Sequence, residues 1–147
     1  MQYDDALDDI AEIVENQSTN TVDVVVIYLH DNFSIYSWVG IYLINNSELV
    51  LGPWKGPHAT EHTTIPVGEG ICGAAAASGR TEIIDDVASD LRYLACFVTT
   101  KSEIVVPIKK SDVVIGEIDI DSDVPNAFDE NDADFLEKVA DLLSRVV

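Results

Sequence analysis

Apolar positions in the first stretch, Tyr3 to Asn16, recur as Leu7, Ile10, Ala11 and Val14, with acids on the opposite side. That spacing predicts an amphipathic helix. The next apolar stretch, Thr21 to Leu29, holds Val22, Val24, Val25, Val26 and Ile27. Its β-branching predicts a strand on propensity alone, a preference that tertiary context can override.

Tyr36 to Ile44 alternates around Trp38, Gly40 and Tyr42 and ends at Asn45-Asn46-Ser47. Glu48 to Leu51 then resumes an apolar run, and the pair reads as a β-hairpin. Gly52 to Thr64, with Pro53, Gly56 and Pro57, reads as a long surface loop of the kind that often carries function. Gly70 to Ser78 is small and alanine-rich, suits a short helix and stops at Gly79. Glu82 to Ile84 is a short strand, and Asp85 to Thr100 a second long connection. Glu103 to Ile108 and Val113 to Asp121 are strands joined by a turn at Ser111-Asp112. Phe128 to Val147 is a closing helix with Asp129 as N-cap and Asp132 as the acid three residues on. Its apolar face is Phe135, Leu136, Val139, Ala140, Leu142 and Leu143. This order predicts one α+β domain over residues 1–147, an antiparallel sheet of about six strands with helices mainly on one face.

Composition narrows the class. Of 147 residues, 47% are hydrophobic, enough for a core and too many for a disordered chain. No apolar run approaches the roughly 18 residues that span a bilayer, and the acidic start Met1-Gln2-Tyr3-Asp4-Asp5 is unlike a secretory signal. A cytoplasmic protein without a membrane partner is the expectation. The net charge of −19 argues against nucleic acid, whose phosphates it repels. The acid excess suits a salty cytosol or an acidic one, and the residues do not decide which.

The chemistry concentrates in two thiols and a row of acids. On the strand Gly116-Glu117-Ile118-Asp119-Ile120-Asp121 the three carboxylates share one face. They form either a solvent-facing row or a pocket in which crowding raises a pKa and keeps one carboxyl protonated. Glu103 opens an apolar strand, and is either a solvent-facing strand end or a further site acid. Cys96 lies between Arg92 and Lys101, either of which would lower its pKa at close range. A packed small residue is the other reading. Cys72, at the start of the glycine-flanked helix, is either packed or exposed to the positive helix end.

His58 and His62 are four apart, but in a segment with glycine and proline. No Cys-x-x-Cys or His-Glu-x-x-His spacing exists, so no metal site is expected. Gly68-x-Gly70-x-x-Gly73 spells a dinucleotide fingerprint, but it follows Pro66 rather than a βαβ strand, which marks the match as accidental.

Several of these segments, in order, resemble the free methionine-(R)-sulfoxide reductase family, single-domain proteins with a GAF fold. They are Trp38-Val39-Gly40-Ile41-Tyr42, Leu49-Val50-Leu51-Gly52-Pro53 and Ile65-Pro66-Val67-Gly68-Glu69-Gly70-Ile71-Cys72-Gly73. Ala95-Cys96, Ser102-Glu103-Ile104-Val105-Val106-Pro107 and Asp119-Ile120-Asp121-Ser122 continue the series. The resemblance implies a helix, not a strand, at Thr21 to Leu29. It implies Cys96 as nucleophile, Glu103, Asp119 and Asp121 as active-site carboxylates, and Trp38 and Tyr42 as substrate-binding pocket wall. Cys72 matches a second family cysteine and is the internal candidate for a resolving thiol. The usual resolving position, three residues before Ile65-Pro66, holds His62. The implied substrate is free L-methionine (R)-sulfoxide, with no bound cofactor and no metal. An external thioredoxin-type dithiol would be the reductant, and related proteins suggest a homodimer. The alternative is a non-catalytic GAF-type module that senses or binds a small molecule.

Overall fold

The computed structural model describes residues 3–16, 18–94, 97 and 99–147. Cys96, the expected nucleophile, lies outside the described residues.

Helix α1 (Tyr3–Glu15) and helix α2 (Thr21–Asn32) come first. Strands β1 (Trp38–Asn45), β2 (Glu48–Lys55) and β3 (Thr64–Pro66) lead to helix α3 (Gly70–Ser78). Strands β4 (Glu82–Ile84), β5 (Ser102–Lys110) and β6 (Val113–Ser122) precede helix α4 (Glu130–Leu143). The six strands form one antiparallel sheet in the order β3-β2-β1-β6-β5-β4.

Three expectations are corrected. The Val22–Ile27 run is helical, because Val22, Val25, Val26 and Leu29 recur at helical spacing and join the core. Burying that stripe outweighs β-propensity. The loop expected from Gly52 begins later, because β2 continues to Lys55. Gly52 and Pro53 sit at a register shift opposite Ile41, where a bulge tolerates a proline that a regular ladder would not. A further strand, β3, pairs with β2 within the stretch from Thr64, where the sequence showed no strand signal.

Both hairpin turns follow expectation. Asn46 and Ser47, and then Ser111 and Asp112, all have positive φ, the two-residue turn that suits twisted antiparallel strands. Asp129 caps α4 in a reciprocal capping box with Asp132.

The central strands are covered on both faces. One face packs Val39, Ile41, Ile104, Val106, Ile118 and Ile120 against α1, α2 and α4. The other carries α3, which packs Ile71, Cys72, Ala75 and Ala76 over Tyr42, Leu49 and Val105. The period-two alternation of β6 therefore sends its isoleucines into the helical core and its three acids towards α3.

Candidate active site

The acids of β6 are not a solvent-facing row. Glu117, Asp119 and Asp121 are 0%, 1% and 2% exposed, and Glu103 on β5 is 3% exposed. Strand register explains how they meet. Asp121 lies between Trp38 on β1 and Glu103 on β5, Asp119 between Gly40 and Val105, and Glu117 between Tyr42 and Pro107. Residues paired across a ladder project to the same face, so Trp38, Tyr42, Glu103 and the β6 acids share one floor.

Helix α3 lowers Cys72 onto that floor. Its thiol is buried and points at Glu103, with Sγ 4.0 Å from Oε2. Cys72, Glu103, Asp119, Tyr42, Ile65, Ile71 and Leu94 line one small cavity. Gly70 enters α3 at φ +68, and a Cβ there would also strike the Leu94 side chain. The Gly68–Gly73 letters thus build a turn and a close packing contact.

The wall is aromatic. The Trp38 indole lies over Gly40, where a Cβ would come within 2.3 Å of the ring, and against Gly56, where the same holds. Trp54 stacks on it at 6.1 Å and 14°, and Phe97 meets it at 5.8 Å and 47°. Its Nε1–H is buried without an acceptor among the described residues. Tyr42 is fully buried, and its hydroxyl donates to the His62 carbonyl at 2.7 Å, tying the loop after β2 to the cavity. His62 therefore meets the site wall through its backbone.

Buried carboxyl groups without partners dominate the electrostatics. Both oxygens of Glu117, both of Asp121 and Oδ1 of Asp119 lack a hydrogen-bond partner among the described residues. None of these three acids forms an ion pair with a described cation. Burial, then the charge of Asp119, pushes Glu117 and Asp121 well above the usual carboxylate range. Burial also raises Asp119, while the Glu103 and Cys72 side chains beside it pull the other way. Two carboxyl groups can share a hydrogen bond only if one carries the proton. A hydrogen bond between the Asp119 and Glu103 carboxyl groups would therefore require a proton on one of them. Burial first, then Asp119 and the other three acids, pushes the Cys72 thiol up. This overrides the helix N-terminus that the sequence offered as an activating influence. Arg92, one of the two cations flanking Cys96 in sequence, is engaged by Glu82 at 2.9 Å and Asp90 at 2.8 Å.

Comparison with known proteins gives this arrangement a context. The GAF domain family matches residues 2–147. The free methionine-R-sulfoxide reductase of Escherichia coli is 36% identical over 119 residues, covering 81% of this chain and 71% of that one. The crystal structure of free methionine-R-sulfoxide reductase from Neisseria meningitidis, in complex with its substrate, superposes with a TM-score of 0.91 at 36% identity. It covers 97% of this chain and 86% of that one. This chain belongs to the free methionine-R-sulfoxide reductase family, on a GAF fold. A GAF sensor protein from Burkholderia vietnamiensis also superposes, with a TM-score of 0.90 at 29% identity, covering 97% and 90% of the two chains. The fold is thus common to reductases and sensors, and the site must separate them.

Within the reductase family reading, the structure brings together Trp38, Tyr42, Cys72, Glu103, Asp119 and Asp121, residues from three strands and a helix. Sequence reasoning left Glu117, Trp54 and Phe97 out of the site. Glu117 had a signal, its place in the alternating acid row. Trp54 had none, because it fell in a stretch read as loop. No helix among the described residues is long and apolar enough to cross a membrane.

Proposed function

We propose that this protein reduces free L-methionine (R)-sulfoxide to methionine, with Cys96 as nucleophile and a thioredoxin-type dithiol of the cytoplasm as reductant. The observation that supports it best is the buried acid floor of Glu103, Asp119 and Asp121 beneath Trp38, in which Asp121 and Oδ1 of Asp119 have no hydrogen-bond partner among the described residues. A solvent-facing surface has no use for such a floor, whereas a substrate bearing an ammonium group and a protonatable oxygen does.

In this reading the Cys96 thiolate attacks the sulfoxide sulfur. The proton held between Asp119 and Glu103 passes to the sulfoxide oxygen as it gains charge. The remaining carboxylate charge holds the substrate ammonium, and the Trp38 ring covers the methyl and the sulfonium-like sulfur. The oxygen ends on Cys96 as a sulfenic acid, and methionine leaves. A second thiol then attacks the sulfenic sulfur and expels water, and a dithiol reduces the resulting disulfide. Cys72 is the only internal thiol available for that step, since the chain has two cysteines. Its raised pKa makes it a slow attacker, which favours direct reduction of Cys96 by the external dithiol.

Cysteine variants test this. With thioredoxin, thioredoxin reductase and NADPH, Cys96→Ser is expected to abolish turnover, and full activity in that variant would remove the assignment. Cys72→Ser is expected to keep multiple turnover with thioredoxin. A stop after one turnover in that variant, with activity retained on small thiols, would make Cys72 the resolving thiol instead. The second reading, small-molecule sensing without catalysis, is favoured by the GAF sensor neighbour. It predicts binding of the substrate by the wild type with no NADPH consumption.

A further inference from the structure

Spacing along the chain offered no metal motif, yet the fold assembles one set of donors from three separate elements. Cys72 from α3, Glu103 from β5 and Asp119 from β6 each present a ligand atom, and the three atoms lie within 4.8 Å of one another. All three residues are buried. A fourth side chain bears on the same point. Glu117 is fully buried and lies against the Cys72 thiol, yet neither of its oxygens has a hydrogen-bond partner of acceptable geometry among the described residues. Asp119 Oδ1 is likewise without a partner. Donors in this state are under-coordinated, and no described cation neutralises Glu117 or Asp119.

We propose that Cys72, Glu103 and Asp119, with Glu117 at the open position, form a binding site for a thiophilic divalent cation such as Zn²⁺ or Cd²⁺. The donor set decides the class. One sulfur with carboxylate oxygens suits zinc and its heavier congener, whereas Mg²⁺ and Ca²⁺ take oxygen alone. Zinc places its donors about 2.0–2.3 Å from the metal, hence roughly 3.5 Å apart in a tetrahedron. The Cys72–Glu103 separation of 4.0 Å is close to that, and the whole set needs to contract by roughly 1 Å. The site as proposed requires the Glu103 and Asp119 side chains to rotate by that amount. On binding, the Cys72 thiol proton and any proton held by the ligating carboxyl groups are released to solvent, and the sulfur–metal and oxygen–metal bonds form with no change of oxidation state. The binding itself is independent of the reductase reading. If that reading holds, a metal here occupies the floor that the substrate ammonium and oxygen need, so zinc acts as a reversible inhibitor.

The test is cadmium titration of the full chain carrying Cys96→Ser, which leaves Cys72 as the sole thiol. The expected result is a one-equivalent rise in the ultraviolet thiolate-to-cadmium charge-transfer band, with a raised melting temperature. Adding Cys72→Ser removes the band, and adding Asp119→Asn or Glu103→Gln weakens the apparent affinity by about tenfold or more. Magnesium gives no shift in melting temperature. The proposal is overturned if no band appears, or if the band survives both carboxylate changes with unaltered affinity, since the thiol alone would then be the ligand. Because the readout is metal binding in a variant expected to be inactive, its failure leaves the reductase reading standing. Failure of turnover in the wild type leaves the metal site standing.

Discussion

At the scale of single residues, the site is a set of unmet requirements. Trp38 Nε1–H has no acceptor among the described residues, and a buried donor left so costs about 1–3 kcal/mol. Trp38→Phe should therefore leave the melting temperature level or higher while it weakens substrate binding, seen as a raised KM in the coupled assay. Gly40→Ala should do the reverse kind of damage. Its Cβ would meet the indole within 2.3 Å, and overpacking of this sort costs about 1–3 kcal/mol. A lowered melting temperature together with lost activity is expected, and an unperturbed variant would show that Trp38 does not lie over Gly40. Asp121 has a native pKa raised by burial and by Asp119, above an unfolded value of about 4. Such a group contributes stability fully below its unfolded pKa and loses it as pH rises through the native one. Asp121→Asn should thus be more stable than wild type at neutral pH, with the gap closing on acidification, in melting curves taken across pH. Alternation made the shared face of these acids readable from the sequence. Their burial was not readable, because it depends on α3 and the loop after β2 lying across the sheet, which are contacts between distant segments.

At the scale of elements, legibility followed local chemistry. Turns that need positive φ, at Asn46-Ser47 and Ser111-Asp112, announced both long hairpins, and Gly79 announced the end of α3. Helix α2 was hidden because β-branching spoke for a strand, although Val22, Val25, Val26 and Leu29 carried the helical stripe. The extension of β2 past Gly52 was hidden because a bulge excused Pro53 from the ladder. The start of α4 shows the opposite case, a local signal confirmed in detail. Asp129 accepts from the backbone N–H of Asn131 at 2.9 Å and of Asp132 at 3.3 Å, and Asp132 accepts from the Asp129 N–H at 3.0 Å. Asp132 also accepts from the hydroxyls of Tyr36 at 2.7 Å and Tyr3 at 2.9 Å, which joins α4 to α1 and to the approach to β1. Asp129→Ala should cost about 1 kcal/mol as a lost cap. Asp132→Ala should cost more, about 2–3 kcal/mol, because it also leaves the buried Tyr36 hydroxyl without its acceptor. Urea denaturation of both variants checks the order, and equal losses would show that the tyrosine contacts add nothing to the cap.

At the scale of the molecule, two kinds of negative charge behave differently. Most of the acids behind the net charge of −19 are on the surface, where salt screens their repulsion. The floor acids are enclosed beneath α3 and are screened far less. Whole-molecule fold comparison places reductases and a sensor on the same scaffold, so the functional claim rests on these enclosed acids and the Cys72 thiol that faces them. The motif segments that carry the resemblance in the sequence include strands β1, β5 and β6 and the start of α3, which compose the floor. The most direct measurement is NADPH consumption by the wild-type chain with thioredoxin and thioredoxin reductase, on the separated R and S forms of free methionine sulfoxide. Sustained consumption with the R form and none with the S form is predicted. Consumption with neither form, or equally with both, would contradict the proposed function.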